Sequence, residues 1–393
     1  MISVAEAQAR LLGLASPLPP VERKLMQAVG HYLHAPLTAI RTQPAADLSA
    51  MDGYAVAAGD FPGPWRVIGE SAAGHPFAGA LQSGEAVRIF TGAHVPRNAD
   101  SVLIQENASR DGDIMRVTEN RALKIGANIR RLGSDFQAGD QVLPAGSYLD
   151  AGAIAVAAMA GHGTLAVGGL PRIAIAATGD ELVAVGAPAG PAQIPCSNSP
   201  RLQAMLADLP CDVLDAGILG DDLTDLETGL RALSEKVDII VTTGGASVGD
   251  HDLVHTALQN IGAQMDFWKV AMRPGKPLMA GKIGNAIVLG LPGNPSSAFV
   301  TAFLFLLPII RHMAGSPSPL PVLFEAAAAS DLPAGGDRAE YMRASVEGGH
   351  ITPLMVQDSG LTRTLSQSNA LLIQPPNVPP RSKGTMVQYM RLA

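Results

Sequence analysis

Residues 170–315 alternate near-continuous apolar strands with helix-length segments, and this pattern constrains the fold more than any other feature of the chain. The strand-like segments read RIAIAAT, DVLDAGIL, VDIIVTT and AIVLGL, and each is followed by a stretch long enough for a helix. Strands that are apolar at successive positions are typical of a parallel sheet covered by helices on both faces. The pattern therefore predicts an α/β domain built on a central parallel sheet.

The regions on either side of this domain have a different texture. Residues 1–165 contain short helices and short alternating segments broken by glycine and proline, which predicts an N-terminal helical and β region of two subdomains, with the β part at about 47–140. Residues 320–393 are again β-like and predict a small C-terminal β-barrel-like domain. The expected fold class is thus multi-domain α/β plus β.

Composition excludes several classes of protein. The 393 residues include 28 Lys and Arg against 35 Asp and Glu, a net charge of -7. Nucleic-acid binding needs clustered cations, so we expect no nucleic-acid partner. Two cysteines suit a reducing cytoplasm. The longest apolar stretch, 298–310, is shorter than the roughly 20 residues that cross a bilayer, which predicts a buried helix and no membrane anchor.

Glycine-containing turns follow two of the predicted strands, where ligands bind in open α/β sheets. One such turn is an ordinary loop in most proteins, but two on neighbouring strands predict a site for an anionic group such as phosphate. The candidate binding residues in the two turns are Gly244, Gly245 and Ser247, and then Asn294. Asn294 and Asn198 are also expected to act as helix N-caps.

Acidic side chains are expected at the same edge of the sheet. They are Glu181, Asp221, Asp250 and Asp252. Their mutual repulsion would be relieved by Mg²⁺, which binds one or two carboxylates together with substrate phosphate oxygens. Helix capping is the alternative for individual acids, and it fits Asp180 and Asp222 best. The sequence leaves open which of these acids bind the metal.

Cations that could hold an anionic substrate are concentrated in the segment WKVAMRPGKP, which supplies Lys269, Arg273 and Lys276. By contrast, Asp52, Thr91 and Asp135 can be identified from their spacing only as turn residues. The nine histidines form no metal-ligand pattern, and no nucleophile–base arrangement is apparent.

Several motifs together resemble the molybdopterin molybdenumtransferase family, which includes bacterial MoeA and the E domain of gephyrin. They are SAMDGYA, RIFTGA, RRLGSD, TGDEL, TTGGASVGDHD, MRPGKP, GLPGNPSSAF, RAEYMR and SGLTRTLSQSN. The resemblance implies a central domain of the molybdopterin-binding type. It also implies an Mg²⁺-dependent cytoplasmic enzyme that inserts molybdenum from molybdate into adenylylated molybdopterin and releases AMP, the final step of molybdenum cofactor biosynthesis.

The resemblance further implies a homodimer whose subunits share each site, with a molybdopterin adenylyltransferase as a possible partner. One subunit would contribute Asp52, Thr91 and Asp135. The other would contribute Glu181, Asp221, Asp252, Gly244, Gly245, Ser247, Lys269, Arg273, Lys276, Pro292, Asn294 and Pro295, with Arg343 and Ser366 approaching from the C-terminal domain. The implied catalytic acids are Glu181, Asp221, Asp252, Asp52 and Asp135, of which Glu181, Asp221 and Asp252 are the implied metal ligands.

Two alternatives stay open at the level of sequence: a molybdopterin adenylyltransferase that consumes ATP, and a non-catalytic molybdopterin-binding scaffold or paralogue. The chain also departs from the family pattern at two places. Cys196, in the run Pro195–Asn198, stands within a loop that often reads Tyr-Asp-Ser-Asn in the family, and Arg273 replaces a common lysine.

Overall fold

A computed structural model describes residues 1–119, 122–245 and 253–392, without the side chain of Trp268. The N-terminal region combines two helices with short strands. In chain order its elements are α1 (Val4–Gly13), β1 (Val21–Lys24), a 3-10 turn (Leu25–Gln27), β2 (Leu37–Thr38), β3 (Leu48–Ser49), β4 (Gly53–Val56), a 3-10 turn (Ala58–Asp60), β5 (Trp65–Ser71), β6 (Glu85–Ile89), β7 (Ser101–Ile104), a 3-10 turn (Gln105–Asn107), β8 (Ala108–Asp111), β9 (Ile114–Val117), β10 (Ile129–Arg130), β11 (Gln141–Leu143), α2 (Ala151–Met159) and β12 (Thr164–Val167).

Six of these strands form one sheet in the order β7-β4-β6-β5-β9-β8. Trp65 on β5 is completely buried and packs in one cluster with Val56 and Met115. The remaining short strands pair as β1 with β12, β2 with β11 and β3 with β10. The N-terminal region therefore contains a compact β unit, together with three short strand pairs that join residues distant in the sequence.

The central region carries the largest core. Its elements are β13 (Arg172–Thr178), β14 (Leu182–Val183), β15 (Ile194–Pro195), α3 (Asn198–Leu206), β16 (Asp212–Leu219), α4 (Leu223–Ser234), β17 (Ile239–Thr243), α5 (Leu253–Asn260), β18 (Gln264–Lys269), β19 (Met272–Arg273), β20 (Pro277–Ile283), β21 (Ala286–Leu291), α6 (Pro295–Thr301), a π-helical segment (Ala302–Leu306) and α7 (Leu307–Met313). The main sheet has the order β16-β13-β17-β21-β20-β18.

The predicted parallel sheet is confirmed for the four strands β16, β13, β17 and β21. Strands β20 and β18 extend it as an antiparallel pair, which the sequence analysis did not predict. A two-residue turn at Gly284 and Asn285 joins β20 to β21, and Gly284 adopts φ +56°. Because antiparallel neighbours need only a short turn, this hairpin fits between two buried strands without a crossover helix.

Alternate residues of the buried strands face opposite layers. In β13, Ile173 and Ile175 pack with α3 and the helices that follow β21, whereas Ala174 and Ala176 pack with α4 and α5. Successive strand side chains point to opposite faces, so an apolar run buries both. Each fully buried Ile or Leu contributes about 1.5–3 kcal/mol. This burial on both faces explains why the strand segments are apolar throughout.

The first residues of α3, α4 and α6 show whether the predicted N-caps are correct. Asp222 caps α4, with its carboxylate accepting from the Asp225 amide at 3.0 Å, as predicted. Asn294 is the N-cap residue of α6, although its side chain makes no capping hydrogen bond. The prediction for Asn198 was wrong, because Ser197 is the cap residue and Asn198 begins the helix. The Asn198 side chain instead bonds a distant loop.

One helix among the described residues, Pro295–Met313, is long and apolar enough to cross a membrane by length and composition alone. In the fold, 78% of its apolar window is buried inside the protein. Phe305 and Leu306 are completely buried there, and α1 packs against the same core. The sequence prediction of a buried helix is confirmed.

The C-terminal region forms a closed small barrel. Its elements are β22 (Phe324–Ala328), β23 (Ala339–Glu347), β24 (His350–Pro353), α8 (Arg363–Ser366), β25 (Ala370–Gln374) and β26 (Met386–Arg391). The sheet order is β19-β23-β24-β22-β26-β25, and pairing of β23 with β25 closes it. Because β19 leaves the central region to pair with β23, the barrel is joined to the central domain by backbone hydrogen bonds. The predicted fold class is confirmed.

Candidate functional site

A cavity of about 600 Å³ opens where β13, β17 and β21 end. This is the edge at which open α/β sheets bind ligands. The described residues that line it all come from the central region, and they are Thr178, Gly179, Glu181, Leu182, Ile194, Pro195, Cys196, Ser197, Asn198, Asp221, Thr243, Gly244, Gly245, Pro277, Pro292, Gly293, Asn294 and Pro295. We call it the central cavity. It gathers seven of the predicted site residues.

The two glycine turns meet in this cavity. Gly244 and Gly245 have φ values of +95° and +59°, which side chains rarely adopt. The Gly244 amide donates to the Leu291 carbonyl at 3.3 Å, and a Cβ placed on Gly293 would lie 3.5 Å from the Gly244 Cα. The turns are thus packed backbone to backbone. Such turns let a ligand approach the main chain closely, as phosphate-binding loops require.

Helix α3 holds the second turn in place. The Asn198 Nδ2 donates to the Gly293 carbonyl at 2.8 Å, and the Arg201 Nη1 donates to the Pro295 carbonyl at 3.0 Å. Arg201 also bonds the Asn198 Oδ1 at 2.9 Å. Burial lowers the pKa of Arg201 from its ordinary value. Sequence reasoning missed the role of Arg201, because its contact with Pro295 joins residues 94 positions apart.

Two carboxylates, Glu181 and Asp221, border the same cavity. The Glu181 carboxylate folds back over Gly179, where a Cβ would collide with it. The Asp221 Oδ2 accepts from the Asp180 amide at 3.3 Å, and the Asp180 Oδ1 accepts from the Asp221 amide at 3.1 Å. Asp221 therefore joins two loops and does not cap α4.

The donor set at this edge can be compared with what a metal needs. Among the residues that the structure describes, no group of three or more His, Cys, Asp or Glu side chains could hold a metal ion. Glu181 and Asp221 nevertheless supply two carboxylates on one cavity. Mg²⁺ characteristically takes one or two carboxylates and completes its shell with substrate phosphates and water. The described donors fit that partial set.

Thr243 lies in the wall of the central cavity. It is 2% exposed, and its Oγ1 has no hydrogen-bond partner among the residues that the structure describes. Buried polar atoms are normally satisfied, so this buried hydroxyl is an exception within the described part of the chain. The neighbouring Thr178 Oγ1 has only a long contact of 3.5 Å to the Thr243 carbonyl. The sequence analysis did not single out either residue.

A second cavity, of about 610 Å³, lies between the central domain and the barrel. Arg273, Lys276 and Arg338 line it, and Pro277 lines both cavities. The Arg273 guanidinium is 3.6 Å from the Glu340 carboxylate, and its side chain is 64% exposed. We call this the basic cavity. Arg338 was missed, although it is the first residue of the motif RAEYMR, which was a usable signal.

Three other predicted residues lie near these cavities without lining them in the described structure. Lys269 ends β18 and is exposed. Arg343 is 2% exposed and its guanidinium is occupied by protein groups. Ser366 is exposed at the end of α8, where its hydroxyl donates to the Arg363 carbonyl at 2.8 Å. Two further predicted residues, Ser247 and Asp252, lie outside the described residues, as does Asp250.

Asp52 and Thr91 lie together in the N-terminal β unit. The Asp52 Oδ1 accepts from the Thr91 amide at 2.7 Å and from its hydroxyl at 2.8 Å. These two bonds, with the charge of Arg88, lower the pKa of Asp52 below 3.8. Asp135 lines a separate cleft together with Phe136. The structure thus pairs Asp52 with Thr91, and it places all three residues in a region that contributes no described residue to the central cavity.

These features define an α/β ligand-binding domain with a sheet edge of the kind that binds phosphate groups. The domain stands between an N-terminal β unit and a C-terminal barrel. Family models match along the chain: the MoeA N-terminal region (domain I and II) at residues 2–161, a probable molybdopterin binding domain at 174–312, and the MoeA C-terminal region (domain IV) at 325–392. The chain belongs to the molybdopterin molybdenumtransferase family, and the resemblance found from its motifs is confirmed.

Individual relatives agree with this assignment. A molybdopterin molybdenumtransferase from Haemophilus influenzae is 35% identical over 347 residues, covering 87% of this chain and 85% of the relative. One from Nostoc is 35% identical over 370 residues, covering 89% and 84%. The crystal structure of a molybdopterin biosynthesis moeA protein from Pyrococcus horikoshii superposes with a TM-score of 0.86 at 26% identity, covering all of both chains.

Proposed function

We propose that this protein is a molybdopterin molybdenumtransferase, which inserts molybdenum from molybdate into adenylylated molybdopterin and releases AMP. One observation carries the proposal: a central cavity with glycine turns and two carboxylates directly adjoins a basic cavity, and Pro277 lines both. A nucleotide-bearing substrate needs the first kind of site and an oxyanion needs the second. The two substrates of the transfer would therefore lie side by side.

The residues of the central cavity would bind and orient the pterin nucleotide. Main-chain amides at the glycine turns suit its phosphates, and Thr243 lies in the wall of the same cavity. In the basic cavity, Lys276, Arg273 and Arg338 would hold the tetrahedral oxyanion and offset its charge. Catalysis would then rest on placing the two substrates in a reactive orientation.

Glu181 and Asp221 would hold Mg²⁺, with Asp252 as the third ligand implied by the family resemblance. When bound, the ion would supply Lewis-acid polarisation of the phosphoanhydride. The Asp221 carboxylate is held by the Asp180 amide, and the Glu181 carboxylate lies beside Gly179. AMP release should therefore require Mg²⁺, with a lower affinity for the ion when either carboxylate is neutralised.

We further propose a cytoplasmic homodimer in which Asp52, Thr91 and Asp135 of one subunit complete the site of the other. The observation behind this is that the described lining of the central cavity comes from the central region alone, whereas Asp52 is prearranged by Thr91 elsewhere in the chain. A molybdopterin adenylyltransferase would supply the adenylylated substrate.

The function is tested by incubating purified protein with adenylylated molybdopterin, Mg²⁺ and molybdate, and measuring AMP. We expect molybdate to stimulate AMP release, and Glu181→Gln or Asp221→Asn to reduce the rate by at least about tenfold, the effect of weakening a bound cation. Asp222→Asn is the matched control, because asparagine still caps α4 from the same loop. Molybdate-stimulated release that is unchanged in both acid variants would contradict these roles.

The shared site is tested by mixing inactive variants. Asp52→Asn and Glu181→Gln subunits are each expected to be inactive alone. Exchange into mixed dimers should restore roughly a quarter of the wild-type activity, since half of the dimers are mixed and one of their two sites is intact. Lack of recovery, with subunit exchange verified by mass, would refute a site shared between subunits.

A further inference from the structure

The guanidinium of Arg343 forms the centre of a hydrogen-bonded seam between the barrel and the central domain. Arg343 lies on β23 and is 2% exposed. Its Nη1 donates to the Ser296 Oγ, and its backbone amide donates to the Gln357 Oε1 at 3.0 Å. The guanidinium also donates to three carbonyl oxygens of one segment, those of Val356 at 3.3 Å, Asp358 at 3.0 Å and Leu361 at 3.4 Å.

The side-chain amide of Gln357 is hydrogen-bonded through both its oxygen and its nitrogen. Its Nε2 donates to the Arg343 carbonyl at 2.9 Å and to the Leu354 carbonyl at 2.8 Å. Together with the bond to its Oε1, this uses both the acceptor and the donors of the amide. Because Arg343 stays charged and its hydrogen-bond acceptors are neutral, loss of one acceptor leaves a buried cation incompletely solvated.

Ser296 connects this arginine to the turn that lines the central cavity. Its Oγ donates to the Leu361 carbonyl at 3.0 Å, and its amide donates to the Ser359 carbonyl at 3.0 Å. Next to it, the Asn294 Nδ2 is 3.2 Å from the Ser359 Oγ. Ser296 is completely buried. The turn at the start of α6 and the segment 356–361 are therefore bonded at both backbone and side-chain level.

The seam borders both cavities. Asn294 lines the central cavity, whereas Ser297 and the segment 357–359 line the basic cavity. We propose that Ser296, Gln357 and Arg343 are positioning residues that fix the barrel-side wall of the basic cavity and so set its affinity for the oxyanion substrate. The effect on oxyanion affinity rests on the proposed function, whereas the fixing of the segment 356–361 does not.

The first test measures the segment directly, without substrates. Ser296→Ala removes one acceptor of the Arg343 guanidinium, so hydrogen exchange of a peptide spanning residues 354–361 should become about tenfold faster, the effect of losing about 1.4 kcal/mol of local stability. Ser71→Ala is the matched control, since Ser71 is also completely buried and its Oγ donates to a carbonyl, that of His94, at 2.8 Å. Unchanged exchange at 354–361 in Ser296→Ala overturns the proposal.

The second test measures the consequence for turnover. We expect Ser296→Ala and Gln357→Ala to raise the apparent KM for molybdate about three- to tenfold, with kcat within about twofold, the size of one weakened charge-assisted hydrogen bond. Because both act through Arg343, the double variant should raise KM by less than the product of the single effects. A fall in kcat and thermal midpoint with KM unchanged would mean a purely structural role, and multiplicative effects would show that the two residues act independently. Absence of molybdate-stimulated AMP release in the wild type would instead refute the proposed function, and the exchange result would still decide the seam.

Discussion

Gly244→Ala should damage the central domain far more than Gly293→Ala, although both glycines line the same cavity. Gly244 has φ +95°, and a Cβ there would collide with the Thr178 carbonyl, which is backbone at the end of β13. Strain at such a φ costs about 1–3 kcal/mol, and forcing atoms into a packed site about 1–3 kcal/mol more. The expected loss is therefore about 2–6 kcal/mol.

Gly293 presents the opposite situation. A Cβ there would have the Gly244 Cα as its nearest heavy atom, at 3.5 Å, which is an ordinary contact distance. Its backbone conformation does not require glycine, so Gly293→Ala should change stability by less than about 1 kcal/mol, partly through a less flexible unfolded chain. The two variants add the same methyl group to facing turns, and they differ in the backbone conformation at the substituted residue and in what that group meets.

Native-state hydrogen exchange of peptides from β13 and β17 measures the difference, because it reports the opening free energy of the central sheet. A loss of about 2 kcal/mol or more corresponds to exchange at least about 30-fold faster. Gly244→Ala should reach that value and Gly293→Ala should stay within about fivefold of wild type. Equal exchange in the two variants would refute the steric reasoning about the turns.

Three further predictions concern charge and titration. Burial raises the pKa of Asp238, but hydrogen bonds and charge from Arg172 outweigh it, so the net pKa is below 3.8. Asp238→Asn should cost about 0.5–1 kcal/mol at pH 7, and the difference in urea midpoint should vanish as pH falls well below 3.8 and the native carboxylate is protonated too. Thr91→Val should move the pKa of Asp52 up toward 3.8 in an NMR titration, because the hydroxyl donor is lost. Burial, with the charge of Asp212, raises the pKa of Cys211 to about 11, so its alkylation by iodoacetamide should be slow at pH 8 and accelerate about tenfold per pH unit up to pH 10.

The parts of the fold that could be predicted from the sequence are those encoded in short stretches. Apolar runs such as 173–177 indicate burial on both faces of a sheet, and glycine after a strand indicates a turn with unusual φ. The apolar runs and the glycine turns together predicted a ligand site at the edge of the sheet where the central cavity lies. The antiparallel pair β20–β21 was missed, although Gly284 and Asn285 between two apolar runs are a recognised hairpin signal.

Other features depend on contacts between distant residues, which no local pattern encodes. Asn198 was interpreted as a cap because asparagine is common there, yet its side chain bonds Gly293 instead. Arg338 reaches the basic cavity only because β19 pairs with β23. Arg343 was expected to approach the substrates, but its burial and protein partners become visible only once the barrel is in place.

In the proposed reaction, the central and basic cavities together transfer molybdenum to an adenylylated pterin. The most direct measurement is the stoichiometry of a single turnover: AMP released, molybdenum retained on the pterin, and ATP consumed, all determined on the same sample. We expect one molybdenum to be incorporated per AMP released, with no ATP consumed. AMP release without molybdenum incorporation, or pyrophosphate formation from ATP, would contradict it.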